Sequence, residues 1–125
     1  TLAIFATSAS KLVDHPVPTY AVKVSTDTAS LVYSGDTGPM NCLADFVRGT
    51  DAFLCEASFV ESAENPPSLH LTGAEAGVIA REAEVPLLLV THIPSWTARE
   101  EVERDLLTTY SGNYHIVSAG ETFEL

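Results

Sequence analysis

The chain has 125 residues, 46% of them hydrophobic and 18% charged, with 17 Asp and Glu against 6 Lys and Arg for a net charge of −11. That hydrophobic share supports one domain with a real core and excludes a disordered chain. The acidic balance disfavours a long nucleic acid as ligand, because non-specific affinity for phosphate backbones comes from Lys and Arg, and no apolar run approaches the roughly 18 residues of a membrane span.

In chain order, the opening TLAIFATSAS has no basic flank to make it a signal core and reads as a strand over Leu2–Thr7. Short alternating runs predict strands over Tyr20–Ser25 and Ser30–Tyr33, which complete a meander with the first. A short helix over Asn41–Val47 places Leu43, Phe46 and Val47 on one face and stops before Gly49. A strand over Ala52–Cys55 leads into the polar, Pro-rich loop ESAENPPSLH. Thr72 with Glu75, and Thr97 with Glu100, match the T-x-x-E capping box, predicting helices over Gly73–Glu84 and Ala98–Thr109. Strands over Leu87–Thr91 and Tyr114–Ser118 complete a β-α-β-α-β-α-β order from Ser30 onward, which layers helices against a sheet. Cys42 and Cys55 fit no metal or redox spacing and read as buried thiols of a reducing cytoplasm.

Residues of ligand type recur where strands end. Asp36 follows one strand within SGDTGP, Glu56 follows the next, His92 follows a third, and His70 precedes a helix N-terminus. Asp between two glycines is by itself an ordinary turn, and a lone His at a strand end is most often structural. Acid and imidazole at the equivalent ends of successive strands instead point to one edge of a sheet, where α/β proteins place their sites. Carboxylate with neutral imidazole suits zinc, or manganese and iron in mixed N/O sites. His115 reads as structural, and Trp96, beside Pro94 at a strand–helix corner, reads as packing, with base stacking as its alternative.

Five ordered blocks, VDHPVPTYAVKV, SGDTGP, LCEASF, HLTGAEAG and LLLVTHIPSW, together resemble the C-terminal half of a metallo-β-lactamase-fold hydrolase of the ribonuclease Z-like group. Within that group the resemblance is nearest to the actinobacterial atypical cyclic-nucleotide phosphodiesterases. It implies an α/β fold, half of an αβ/βα sandwich, with a mixed sheet and helices on one face. It further implies two divalent metal ions, zinc in the first instance, with His15 on one, Asp36 bridging both and His92 on the other. His70 matches the histidine that protonates the leaving oxygen, and Glu56 matches the acid that orients it. The H-x-H-x-D-H block that supplies further ligands in full-length members does not occur in these 125 residues, so the resemblance covers one half-domain, 1–125.

The function this implies is a binuclear metal-dependent phosphodiesterase for small cyclic-nucleotide substrates, of which the 125 residues alone form an inactive fragment. Ribonuclease Z-like 3′ processing of tRNA and a non-catalytic oligomerising fragment are the alternatives. Half of a sandwich leaves a sheet face uncovered, which implies association with the other half or with a second copy.

Overall fold

The computed structural model describes residues 6–125. The elements in chain order are β1 (Thr7–Leu12), β2 (Tyr20–Ser25), β3 (Ser30–Tyr33), α1 (Leu43–Val47), β4 (Ala52–Glu56), α2 (Gly73–Ala83), β5 (Leu87–Thr91), α3 (Arg99–Leu106) and β6 (Tyr114–Ile116). One six-stranded sheet runs in the order β1-β2-β3-β4-β5-β6. Its first three strands are an antiparallel meander, and β3 through β6 are parallel, so the sheet is mixed, as expected. Parallel neighbours in sequence order, joined by right-handed crossovers, carry their helices on the same face.

The period of two along each strand sorts the side chains between the faces. Val32, Phe53 and Leu88 stand in one row across β3, β4 and β5 and are fully buried. With Cys55 and Val90 they meet Ile79 and Ala80 of α2 and Val102 and Leu106 of α3 in a single core. The alternate row faces away from the helices. There Leu31, Leu54 and Leu89 meet Val117, Phe123 and Leu125 of the C-terminal segment, while Tyr20, Val22 and Val24 of β2 remain exposed.

One expected strand lies mostly outside the described residues, and three other expectations need correction. The strand placed at Leu2–Thr7 falls mostly on residues outside the described ones, and the described strand begins at Thr7, because Thr7–Leu12 is the segment that pairs with Tyr20–Ser25. The capping box at Thr72 forms in both directions, but the one at Thr97 does not. The N-cap of α3 is Ala98, and the Thr97 hydroxyl donates to the Ser58 carbonyl instead, so a tertiary partner outcompetes the local one. The helix α3 and the strand β6 are also shorter than predicted, ending at Leu106 and Ile116. Finally, Cys55 is buried but Cys42 is exposed, at the N-cap of the short helix α1.

Candidate active site

Because β3, β4 and β5 are parallel, the segments that follow them emerge on one edge of the sheet. Asp36 comes off β3, Glu56 ends β4 and His92 comes off β5. The β1–β2 connection brings His15 to the same edge, and the loop before α2 brings His70. His15, Asp36, His70 and His92 line one cleft of about 470 Å³ together with Ser58, Phe59, Leu69, Pro94 and Trp96. The ring centres of His15 and His92 lie 5.9 and 5.3 Å from that of His70, which stands between them.

Close backbone approach makes this convergence possible. Gly35 has φ +64, and a Cβ there would lie 2.6 Å from the Tyr20 carbonyl oxygen of β2. A Cβ on Gly38 would lie 2.6 Å from Ser68 Cα, and the Gly38 N–H donates to the Asp14 carbonyl at 2.7 Å. The glycines flanking Asp36 thus wedge its loop between the segments that carry His15 and His70. The exposed corner after β5 is drawn in by a different device. His92 itself adopts the left-handed conformation, φ 57, uncommon for a residue with a side chain.

Glu56 is the anchor of the site. It is fully buried; its Oε1 accepts from the Thr37 N–H at 2.9 Å and pairs with His70 Nδ1 at 2.8 Å, while Oε2 accepts from the Ser58 N–H at 3.1 Å. An imidazole whose Nδ1 bears the proton is the donor that fits this contact, which leaves His70 Nε2 free toward the cleft. The loop carrying His70 is held to the end of β4 by backbone bonds from the Phe59 N–H to Leu71 and from the Gly73 N–H to Phe59. Phe59 packs edge-on against the His70 ring, with centres 5.3 Å apart.

Ser58 was not singled out from the sequence, and it organises the second imidazole. Its hydroxyl lies 2.8 Å from the His92 carbonyl and 2.9 Å from His92 Nδ1. Glu56 Oε2 also lies 3.3 Å from this hydroxyl; carbonyl and carboxylate can only accept, so the single hydroxyl proton goes to one of those two oxygens while the hydroxyl oxygen accepts from Nδ1–H. His92 then keeps a lone pair on Nε2, the form that binds a cation. The position two residues after Glu56 in CEASF was the available signal, since a residue there lies in the turn that leaves β4. His92 Nδ1 also lies 3.5 Å from Asp36 Oδ1.

Glu56, His70 and His92 each offer a ligand atom within 4.8 Å of the others. By distance they could enclose an ion, but the Glu56 oxygens are already taken by the donors above. Carboxylate and imidazole in the cleft fit zinc, manganese or iron in kind. His15, Asp36 and His92 alone are too few for two ions with three or four protein ligands each, and a two-ion site here would need further ligands from outside these residues. Among the described residues His15 Nδ1 has only long contacts, at 3.4 Å to the Val17 N–H and to the Thr19 hydroxyl.

The surroundings favour keeping negative charge off neutral groups. Burial, then the nearby Asp36 and Glu56, raises the Tyr33 phenol above its ordinary range, and burial, then Glu56, pushes the Cys55 thiol well up. Cys55 is therefore an inert core thiol. His115 is apart from the cleft, bonded to Glu121 at 3.0 Å, in accord with a structural reading. Trp96 departs from its expected packing role. It is 85% exposed on the rim of the cleft.

No family model matches the chain. It is 48% identical to the protein ML1173 of Mycobacterium leprae over 92% of this chain and 41% of that one. It is 34% identical to a ribonuclease Z of Shouchella clausii over 77% of this chain and 32% of that one. The crystal structure of the metallo-β-lactamase fold protein YhfI from Bacillus subtilis superposes with a TM-score of 0.84 at 27% identity, covering 93% of this chain and 48% of that one. The chain thus spans less than half the length of these relatives.

Glu56→Gln in the intact protein places an amide NH2 where the neighbours are donors, and it is expected to cost about 1–3 kcal/mol. Asp36→Asn, in a half-exposed carboxylate with one imidazole neighbour, is expected to cost under about 0.5 kcal/mol. Thermal unfolding in the presence of chelator compares the two. Equal melting temperatures would remove Glu56 from its anchoring role.

Proposed function

The chain has the metallo-β-lactamase fold and counts YhfI and ribonuclease Z among its homologues, and from that premise we propose that the intact protein is a binuclear metal-dependent phosphodiesterase for small cyclic nucleotides. The observation that carries this reading is the convergence of His15, Asp36, His70 and His92 in one cleft, with His70 backed by a buried carboxylate. Two divalent ions held by His15, Asp36 and His92, with ligands completed from the rest of the protein, would supply Lewis-acid charge to the phosphoryl oxygens. The 125 residues alone offer too few ligands for that, and we take them to be inactive by themselves.

Within this reading each residue of the chain has a role. Asp36, on a loop whose glycines let it protrude, would be the carboxylate shared between the two ions. Ser58 holds the His92 ring with Nε2 directed away from its own bond. In its doubly protonated form His70 keeps Nδ1–H on Glu56 and delivers the Nε2 proton to the departing oxygen, which leaves the neutral Nδ1–H imidazole, while Glu56 fixes the direction of the ring. Phe59 and Leu69 beside His70 limit water at that end. The exposed β2 residues Tyr20, Val22 and Val24 would be covered by the other half of the sandwich, which the superposition on about half of YhfI supports.

Small substrates are favoured by charge. Among the described residues no Lys or Arg lines the cleft, and a chain of net charge −11 has little with which to hold a long polyanion. Ribonuclease Z relatives keep the tRNA-processing alternative in view.

In the intact protein, elemental analysis is expected to find close to two transition-metal ions per chain, with both lost in Asp36→Ala and mainly one lost in His92→Ala. Unchanged stoichiometry in Asp36→Ala would remove it as the bridging ligand. His70→Ala is expected to lower turnover roughly 10²–10⁴-fold with metal retained, and to recover on a p-nitrophenyl ester whose leaving group needs no proton. Equal losses on good and poor leaving groups would exclude His70 as the acid. Side by side at matched metal loading, 3′,5′-cyclic AMP should be hydrolysed and precursor tRNA processed poorly. Efficient tRNA cleavage without cyclic-nucleotide turnover would favour the ribonuclease reading.

A further inference from the structure

Trp96 is the chain's one tryptophan, and 85% of it is exposed. An indole left in water forgoes one of the largest burial gains of any side chain. Among the described residues it makes no ring–ring contact. It stands in the lining of the same cleft as the histidines, next to Pro94.

The cleft is chemically divided. His15, Asp36, His70 and His92 make one part polar and suited to a phosphate with its cations, whereas Phe59, Leu69, Pro94 and Trp96 make the remainder apolar. A phosphodiester seated at the imidazoles has this apolar lining beside it for its substituent. A second phosphate or other anionic group would find no Lys or Arg there. A flexible aliphatic chain gains most from an enclosed pocket, and a single exposed ring does not enclose one. A neutral planar heterocycle gains from a flat aromatic face even when the opposite side is open, and every nucleobase has such a face.

We propose that Trp96 is a specificity-determining residue on which the nucleobase of a nucleotide phosphodiester stacks while the phosphate lies at the histidine end of the cleft. This rests on the phosphodiesterase reading above, and it adds that recognition of the base runs through one indole. Because stacking is indifferent to the hydrogen-bonding edge, adenine and guanine nucleotides should both be accepted.

The test uses the intact, metal-loaded protein and its Trp96→Ala and Trp96→Phe variants, assayed on 3′,5′-cyclic AMP and on the 3′,5′-cyclic phosphate of a ribose lacking its base. The wild type should prefer the nucleotide, and that preference, as a ratio of kcat/KM values, should fall roughly tenfold or more in Trp96→Ala through KM, with Trp96→Phe intermediate. As a second readout, adenosine monophosphate should quench tryptophan emission in the wild type, with that quenching lost in Trp96→Phe. An unchanged preference ratio overturns the proposal, as does a variant that loses oligomeric association while keeping the ratio. If the wild type hydrolyses neither compound, the phosphodiesterase reading fails, and the quenching experiment alone then decides Trp96. Quenching that depends on Trp96 sustains a base platform, and its absence removes it.

Discussion

The buried carboxylate of Glu56 joins three otherwise separate segments, the loop after β3 through the Thr37 N–H, the turn after β4 through the Ser58 N–H, and the loop before α2 through His70 Nδ1. A fully buried acid is costly unless its lone pairs are filled, and each of these contacts fills one while fixing a cleft wall. The arrangement of the imidazoles depends on it. His70 is oriented directly, and His92 is oriented through Ser58, whose backbone bonds Glu56 and whose hydroxyl bonds the neighbouring ring. With its oxygens occupied in this way, Glu56 acts as an internal template for the cleft.

The two faces of the sheet are both apolar but differ in how far they are covered. The row Val32, Phe53, Leu88 packs under the helices and forms the core, and the close approach of α2 to α3 is visible in Gly73, where a Cβ would lie 2.3 Å from the Val102 carbonyl oxygen. The opposite row is apolar too, partly closed by the C-terminal segment and partly open on β2. A strand with apolar residues on both faces is the pattern of a sheet meant to be covered twice. The cleft opens where the strand ends meet neither layer, so its residues can be polar without disturbing the core.

Charge sets the character of the cleft. With no cationic side chain in its lining and acidic residues in excess overall, the site has little attraction for an anion until positive charge is brought to it, and cations reverse the sign of such a site when they bind. Imidazole and carboxylate occupy its polar end, and an exposed indole stands at its rim.

Much of this was legible in the sequence because its signals are local. Strands at Tyr20–Ser25, Ser30–Tyr33 and Leu87–Thr91 follow from alternation and β-branched runs, α2 follows from a capping box whose partners are three residues apart, and Asp36 stood out because glycines on both sides suit a strained loop. Partners distant in sequence decided the rest. Thr97 has the same local motif as Thr72 but finds the Ser58 carbonyl first, the first described strand takes its limits from pairing with β2, and Ser58 acquires its role only when the chain brings His92 to it from 34 positions away. Trp96 looked like packing because a Pro at a strand–helix corner usually buries its neighbours, and whether a rim residue meets protein or water depends on what the other loops leave open. Residue types and their periodicity thus determined the elements and the ligand chemistry at the strand ends. Only the tertiary structure decided which of those groups share a cleft, which proton each imidazole keeps and which side chain is left facing solvent, because these depend on distances between segments that the linear order does not contain.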